Sequence, residues 1–186
     1  YVLGKLETVR LVETKEAIVT IYHNNGEYLG TSSFIVSHNL TKKALMEKIN
    51  EAIFAAKFVK NKPFELVKGE KKKTFNSKPI NEKPVEIIEE IATIFNNEKT
   101  DNAKFNALEI FLNTKISHLV NSNGVDLTKT IHNIEIEAIP SYDGPNDKVE
   151  LYKNYKYLSY DKNQITEDAK NAIKDVEARY NAKKLE

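Results

Sequence analysis

The stretch Ile116–Ile139, ISHLVNSNGVDLTKTIHNIEIEAI, decides the fold. At its centre Asn123-Gly124 is the dipeptide that a type I′ turn prefers, because both central residues of that turn need positive φ. Apolar and polar residues alternate on both sides of this turn, which is typical of half-buried strands. On the second strand the alternation is clearest, with Ile134, Ile136 and Ala138 opposite Glu135 and Glu137. The stretch therefore predicts an antiparallel hairpin.

Two further strands and two helices extend this hairpin into a lobe over residues 84–186. Upstream, Leu108, Ile110 and Leu112 alternate on one face of a further strand, which Asn113-Thr114-Lys115 separates from Ile116, His118 and Val120. Downstream, Pro140 and Asp143-Gly144-Pro145 are expected to end the second strand, and Val149 to Tyr160 predicts a tyrosine-rich last strand. The lobe is thus predicted as a helix, a four-stranded antiparallel meander and a C-terminal helix.

The two helices of this lobe are predicted from apolar residues at helical spacing. Pro84 suits the first position of one helix, which should end at Asn96-Asn97. Thr166 is expected to open the other, with Glu167 and Asp168 in its first turn, where the helix dipole favours negative charge. The predicted buried stripes are Val85, Ile88, Ile91, Ala92 and Phe95 in the first helix and Ala169, Ala172, Ile173, Val176 and Tyr180 in the second.

A second, smaller lobe is predicted over residues 1–62, followed by a linker over 63–83. Leu6 to Glu13 alternates as a strand should, and Asn24-Asn25-Gly26 indicates a hairpin turn between the strand at Ala17 to Tyr22 and a strand through Val36. Thr41 is a suitable N-cap for a helix. Its apolar stripe is Leu45, Ile49, Ala52, Ile53 and Ala56. We therefore expect an α+β fold of two small lobes, each an antiparallel β meander with helices packed on one face.

Composition excludes several classes of protein. The chain has 186 residues, 40% of them hydrophobic, and a formal net charge of +1, whereas a general polyanion binder would be more basic. The absence of Cys excludes disulfides, Cys-based zinc sites and thiol nucleophiles. The longest apolar run, Ala52 to Ala56, is far shorter than the roughly 18 residues of a membrane span. Because the chain opens at Tyr1 without a leader-like pattern, we interpret it as a piece of a longer protein.

Motifs for metal, nucleophilic and phosphate chemistry are incomplete. The four histidines, His23, His38, His118 and His132, are too far apart in sequence to form a helical zinc motif, so polar positions on sheet faces are the better interpretation. Gly30-Thr31-Ser32-Ser33-Phe34 begins like a nucleophile elbow, but Phe34 replaces the second Gly. Gly26 and Gly30 precede no helix directly, so a phosphate loop is not expected.

The charged clusters and the tyrosine cluster each have a structural interpretation as well as a functional one. Glu135 and Glu137, like Glu89 and Glu90, could do acid-base chemistry but most often mark a solvated face. The tyrosines of the predicted last strand could form a peptide-binding face, but such a strand is more often simply half-buried. They are Tyr152, Tyr155, Tyr157 and Tyr160. The lysines of the linker could bind a nucleic-acid backbone, but we expect them to keep the linker solvated. These residues are Lys68, Lys71, Lys72, Lys73 and Lys78, with Phe75 among them. No catalytic, cofactor-binding or metal-binding residue is assigned.

The order of several short strings resembles the N-terminal region of the TldD/PmbA family of zinc-dependent peptidases, also described as modulators of DNA gyrase. The resemblance covers nearly the whole chain. In the first lobe the strings are Glu7-Thr8-Val9-Arg10, Asn25-Gly26, Gly30-Thr31-Ser32-Ser33-Phe34, Asn39-Leu40-Thr41 and Glu51-Ala52-Ile53-Phe54-Ala55-Ala56-Lys57. In the second they are Val120-Asn121-Ser122-Asn123-Gly124-Val125, Lys148-Val149-Glu150-Leu151-Tyr152 and Ala178-Arg179-Tyr180-Asn181-Ala182.

The resemblance implies a cytoplasmic protein whose zinc ligands, a His-Glu-x-x-x-His helix and a later residue, belong to a C-terminal domain that this sequence does not contain. No catalytic residue is therefore carried over to any position here, and zinc is implied only for a TldD-like parent or partner. The family also includes PmbA-like members without the metal motif, which pair with TldD-like ones. The implied partners are thus a TldD/PmbA-like subunit, in a homo- or heterodimer, and the peptide substrates of the parent.

Three hypotheses for function remain open. The leading one is a catalytically silent scaffold and pairing region of such a peptidase. The second is a peptide-binding or protein-interaction module, in which an extended peptide adds to an exposed sheet edge. The third, association with nucleic acid as a gyrase modulator, is the least expected, because it depends on the family description and the linker lysines alone.

Overall fold

The computed structural model describes residues 1–69, 72–80 and 83–183. Glu70 and Lys71 of the predicted linker, residues 81 and 82, and the last three residues lie outside this range. The chain divides into a larger unit, Tyr1–Val9 with the chain from Gly69 onward, and a smaller unit, Arg10–Lys68. The predicted α+β class is confirmed. The described residues form three helices, a two-stranded antiparallel sheet and a five-stranded mixed sheet.

The smaller unit is a hairpin with one helix. Strand β1 (Ala17–Asn24) pairs antiparallel with β2 (Leu29–Val36), and helix α1 spans Lys42–Ala56. The Thr41 side chain accepts a hydrogen bond from the Ala44 N–H, so the predicted N-cap is confirmed. In the predicted apolar stripe Ala52 and Ala56 are buried, and the larger Leu45, Ile49 and Ile53 are half-buried.

The predicted strand from Leu6 to Glu13 is wrong. These residues have no regular structure, and Val9 and Leu11 are 78% and 101% exposed. Alternation alone does not make a strand, because the backbone also needs a hydrogen-bonded neighbour and the apolar side chains need a covered face. The hairpin of the smaller unit therefore stands without the third strand that a meander would require.

The sheet of the larger unit is built around one central strand. Its strands are β3 (Lys73–Asn76), β4 (Ala103–Val120), β5 (Asp126–Asp143), β6 (Lys148–Glu150) and β7 (Lys153–Tyr157). Strand β4 pairs antiparallel along one edge of β5, while β3, β7 and β6 pair in turn along the other edge. Because β3 runs parallel to β5, the sheet is mixed, and the prediction of a wholly antiparallel meander is wrong at this strand.

Helices α2 (Pro84–Asn97) and α3 (Lys162–Tyr180) pack on one face of this sheet. Phe95 from α2, Ile134 and Ile136 from β5, and Val176 from α3 are fully buried in the shared core. The predicted stripe of α3 is buried except for the half-buried Tyr180. In α2 the buried stripe also takes in Ile87 and Ile94, whereas the predicted Val85 is 64% exposed. Within the described ranges, every helix is too short or too polar to serve as a membrane span.

Three boundaries differ from the sequence prediction. Pro140 does not end β5, because it lies opposite Phe105 beside a bulge in β4, where the missing N–H is tolerated. The predicted last strand is two short strands, separated at Leu151-Tyr152. Helix α3 starts at Lys162 rather than Thr166, because the Asp161 carboxylate accepts a hydrogen bond from the Gln164 N–H and caps the helix one turn earlier.

The hairpin between β4 and β5 is present, but its turn is not type I′. Gly124 has a φ of 87°, whereas Asn123 does not have positive φ. The side-chain oxygen of Asn121 accepts hydrogen bonds from the Asn123 and Val125 N–H groups at 2.9 and 3.0 Å. The Asn121 N–H also donates to the Val125 carbonyl at 3.1 Å, so the loop inside this pair is the three residues 122–124, with a left-handed Gly at its end, a common alternative in hairpins. Gly124 is therefore the residue on which this connection depends.

Candidate functional site

Strand β4 leaves most of one backbone edge open. Close to its start the edge is occupied, since the Tyr1 amino group donates to the Leu108 carbonyl at 2.8 Å and the Leu3 N–H donates to the Asn106 carbonyl at 2.8 Å. Backbone groups two residues apart in a strand point to the same side. The groups of Ile110 and of every second residue up to Val120 therefore point to this edge, where no described segment pairs with them.

The far half of the β4–β5 hairpin, residues 113–120 and 126–133, extends beyond the helix layer, and we call it the distal hairpin. Every residue from 113 to 120 is exposed. Ile116, Leu119 and Val120 are 70%, 60% and 60% exposed. The distal hairpin thus combines an unpaired strand edge with exposed apolar side chains.

The predicted tyrosine cluster holds α3 against the sheet. The Tyr157 hydroxyl donates to the Asp168 carboxylate at 2.7 Å, and the Tyr155 hydroxyl donates to the Asp168 carbonyl at 3.3 Å. Both rings are half-buried on the core face. Tyr152 points away and is 59% exposed. These tyrosines therefore do not form one binding face.

Burial governs the acidity of these phenols. Desolvation, followed by the charges of Asp168 and Asp175, raises the pKa of Tyr155 to about 12. Desolvation and then the hydrogen bond to Asp168 raise the pKa of Tyr157 further. The pKa of Tyr160 is raised by burial and by the adjacent Glu90. All three phenols are therefore neutral near pH 7.

The histidines are spread over both units. His23 lies in β1 and His38 follows β2, whereas His118 and His132 lie on β4 and β5. The ring of His118 contacts Asp126 at 2.8 Å, and the ring of His132 contacts Thr114 Oγ1 at 3.0 Å. Among residues 1–69, 72–80 and 83–183, no group of three or more potential His, Asp or Glu ligands converges as a metal site would require.

The predicted carboxylate pairs do not converge on a common site. Glu135 lies 3.5 Å from Lys156 Nζ and accepts from Asn154, and Glu137 stands opposite Glu109 across the β4–β5 pair. Glu90 forms an ion pair with Lys162 at 2.7 Å, which lowers its pKa, whereas Glu89 is exposed. A carboxylate whose pKa is lowered by a lysine, as in Glu90, is not adjusted for proton transfer near pH 7.

Four residues of the predicted linker, Lys73–Asn76, belong to a strand. Lys73 and Phe75 lie on β3 beside Leu127 and Lys129, so their side chains share a sheet face with Lys129. Lys68, Lys72 and Lys78 are exposed, and Lys71 lies outside the described residues. Lys115 of β4 is on the same face as Lys129. One face of the distal hairpin is therefore basic with an exposed aromatic ring, which the linear sequence did not indicate.

The elbow-like string of the sequence lies inside β2 rather than at a strand-to-helix turn. Ser33 Oγ contacts Thr20 Oγ1 at 2.9 Å across the hairpin. Gly30 has a packing role, because a Cβ there would lie 1.7 Å from the Ala56 carbonyl oxygen. Gly30 therefore permits the close contact between β2 and the end of α1, and the string lacks the strand-to-helix turn of a nucleophile elbow.

The open edge of β4 was missed by the sequence analysis. Alternation identified the strand, but which strand lies at the edge of a sheet depends on the pairing of all the others. The one local signal was the run of apolar residues on both sides of the chain near Ile116, Leu119 and Val120.

Comparison with known proteins gives no assignment. No family model matches the sequence, and no curated protein is detectably similar to it.

Proposed function

We propose that this chain is a non-catalytic scaffold and pairing region of a protein resembling the TldD/PmbA peptidases. The observation that carries the proposal is the unpaired edge of β4 in a molecule whose described histidines and carboxylates form no group of three that could hold a metal ion. An open strand edge offers backbone hydrogen bonds to another polypeptide. The chemistry of peptide cleavage would then be supplied by a zinc-bearing domain or subunit outside this sequence.

Four of the strings that carry the resemblance supply a turn, a helix cap or close packing, which supports a scaffold role. Asn25-Gly26 turns the β1–β2 hairpin, and Gly124 turns the β4–β5 hairpin. Thr41 caps α1, and Gly30 allows the end of that helix to approach β2. Residues that form turns, helix caps and close packing contacts specify shape. These structural roles favour the scaffold proposal, but they do not identify a substrate.

The test of the scaffold role measures metal content and peptidase activity on the purified full chain. We expect no stoichiometric zinc and no cleavage of an unfolded protein substrate such as casein, with or without added zinc. Stoichiometric zinc together with cleavage that is lost in a His118→Ala or His132→Ala variant would overturn the proposal. His23→Ala is the control variant, because that residue lies in the other unit.

The pairing role has its own test. A TldD-like subunit from the same genome, mixed with this chain, is expected to give one complex of defined mass by light scattering. The reading frame downstream of Glu186 distinguishes the two kinds of parent. A His-Glu-x-x-x-His string there would indicate a TldD-like enzyme, and its absence a PmbA-like partner.

A second candidate is a peptide-binding module that uses the other side of the sheet. Strands β6 and β7 each pair with β5 alone in the described chain, so their outer edge is free to accept an extended peptide. Binding to a peptide array would be compared between the wild type and a Lys156→Pro variant, since proline removes a backbone donor. Unchanged binding would exclude this edge.

A further inference from the structure

We infer that the end of helix α1 attaches this chain to the surface of an anionic lipid bilayer. The surface that does so consists of two aromatic rings and three lysines, and we call it the aromatic-basic patch. Its residues are Phe54, Phe58, Lys57, Lys60 and Lys62. All five are exposed and belong to the smaller unit. The inference adds a binding surface to the scaffold role proposed above and does not depend on it.

The aromatic rings of the patch are not used to pack α1 against its hairpin. The helix contacts β1 and β2, and its buried residues are Ala52 and Ala56. Phe54 is two residues from each alanine, about 200° around the helix, so it lies on the opposite side. Phe54 and Phe58 are 63% and 70% exposed. Small side chains thus face the sheet and bulky rings face solvent, the reverse of what packing alone would select.

The two rings contact each other, which keeps them together on one surface. Their centroids lie 5.0 Å apart and their planes make an angle of 69°, the edge-to-face arrangement that aromatic pairs prefer. Each ring nevertheless remains mostly exposed, so the contact leaves the larger part of their apolar area in water. This area would gain free energy by transfer into an apolar layer.

The positive charge of the patch is not compensated by acidic residues. From Ala52 to Phe64 the sequence contains three lysines and no Asp or Glu, with Glu51 and Glu65 on either side. Within the part of the chain that the structure describes, none of these lysines forms an ion pair. The Lys60 ammonium lies 5.3 Å from the centroid of the Tyr28 ring, a contact that leaves its charge in place.

An anionic bilayer complements both properties of the patch. Its interface presents an apolar layer beneath negatively charged headgroups, so the rings can enter this layer while the lysine ammonium groups remain at the headgroups. Each lysine close to such a surface strengthens binding about fivefold. A purely acidic polypeptide would match the lysines but would leave the rings in water. The combination of exposed rings and uncompensated lysines therefore favours a lipid surface as the occupant.

The first experiment uses a tryptophan reporter in a chain that has no natural Trp. With a Phe58→Trp variant, vesicles of phosphatidylcholine and phosphatidylglycerol in equal parts should shift the emission to shorter wavelength, and pure phosphatidylcholine vesicles should shift it less. Phe111→Trp is the matched control, because that ring is also exposed, at 38%, but lies on β4 opposite Glu135. No shift in either variant, or an equal shift in both, would overturn the inference.

The second experiment measures binding by co-sedimentation with the same mixed vesicles. Phe58→Ala should weaken binding about tenfold, because one ring no longer enters the apolar layer. Lys57→Gln should weaken it about fivefold at low salt, whereas Lys115→Gln, which removes an exposed lysine of the larger unit, should leave it unchanged. A wild type that binds soluble polyglutamate but not vesicles, or neither of them, would overturn the inference. Both results would leave the zinc and peptidase measurements, which test the scaffold role, unaffected.

Discussion

Replacing Gly30 by Ala tests the packing of β2 against α1. The added Cβ would lie 1.7 Å from the Ala56 carbonyl oxygen and 2.7 Å from its carbon, whereas ordinary contact begins at 3.4 Å. The backbone would therefore have to move by the difference, 3.4 − 1.7 = 1.7 Å. Neither side can yield easily, because Leu29 exchanges two backbone hydrogen bonds with Asn61 next to this glycine.

Overpacking against fixed backbone costs about 3 kcal/mol or more, the upper end of the usual range. Hydrogen exchange of the α1 and β2 amides, measured by mass spectrometry, resolves the smaller unit from the rest of the chain. A loss of about 3 kcal/mol should speed exchange of these amides by about a hundredfold.

Gly26→Ala is the matched control. Gly26 has a φ of 91°, and a Cβ there would meet no atom within 4 Å. Its substitution should therefore cost only the left-handed backbone strain, about 1–2 kcal/mol. If Gly30→Ala exchanged no faster than Gly26→Ala, the close approach of β2 to α1 could not be a determinant of this fold.

Three further predictions concern the larger unit. Phe95→Ala should lower the free energy of unfolding by about 3–5 kcal/mol in urea, because the ring is fully buried and packs edge-on against Phe105; a loss below about 1 kcal/mol would contradict this. Burial raises the pKa of Tyr155 to about 12, so its contribution to stability is complete below its unfolded pKa of about 10 and is lost as pH rises towards 12. A Tyr155→Phe variant should show a flatter decline in the urea midpoint over that range, and an equal decline would refute the assignment. The Lys162 ammonium lowers the pKa of Glu90, so this ion pair stabilises the fold above the usual Glu pKa and its contribution is lost as pH falls through the lowered value; Glu90→Gln should reduce the acid dependence of the thermal midpoint.

Local signals predicted the elements that depend on neighbouring residues. Thr41 and Pro84 begin their helices as expected, and the chain reverses at Gly124. Where two local signals competed, the sequence was ambiguous. Asp161 caps α3 ahead of Thr166, whose hydroxyl instead bonds to the Lys162 carbonyl within the first turns. Both are good N-cap residues, so only the surrounding contacts decide between them.

Features set by distant partners could not be predicted from the sequence. Nothing near Thr74 or Phe75 indicates that β3 pairs in parallel with residues about fifty positions later in β5. For the same reason Pro140 was predicted to end a strand, although the bulge opposite it lies in β4. The candidate site depends on this level of structure, because β4 lies at the edge of the sheet only when each of the other described strands pairs with β5 instead of β4.

The central position of β5 has a consequence for how the larger unit folds. Its hairpin with β4 joins segments close in sequence, whereas β3 must close a long loop before it can dock. We therefore expect the β4–β5 hairpin to form early and the remaining strands to assemble on it. Once assembled, β5 cannot detach without releasing four neighbours, so its amides should be the last in the chain to exchange with solvent deuterium.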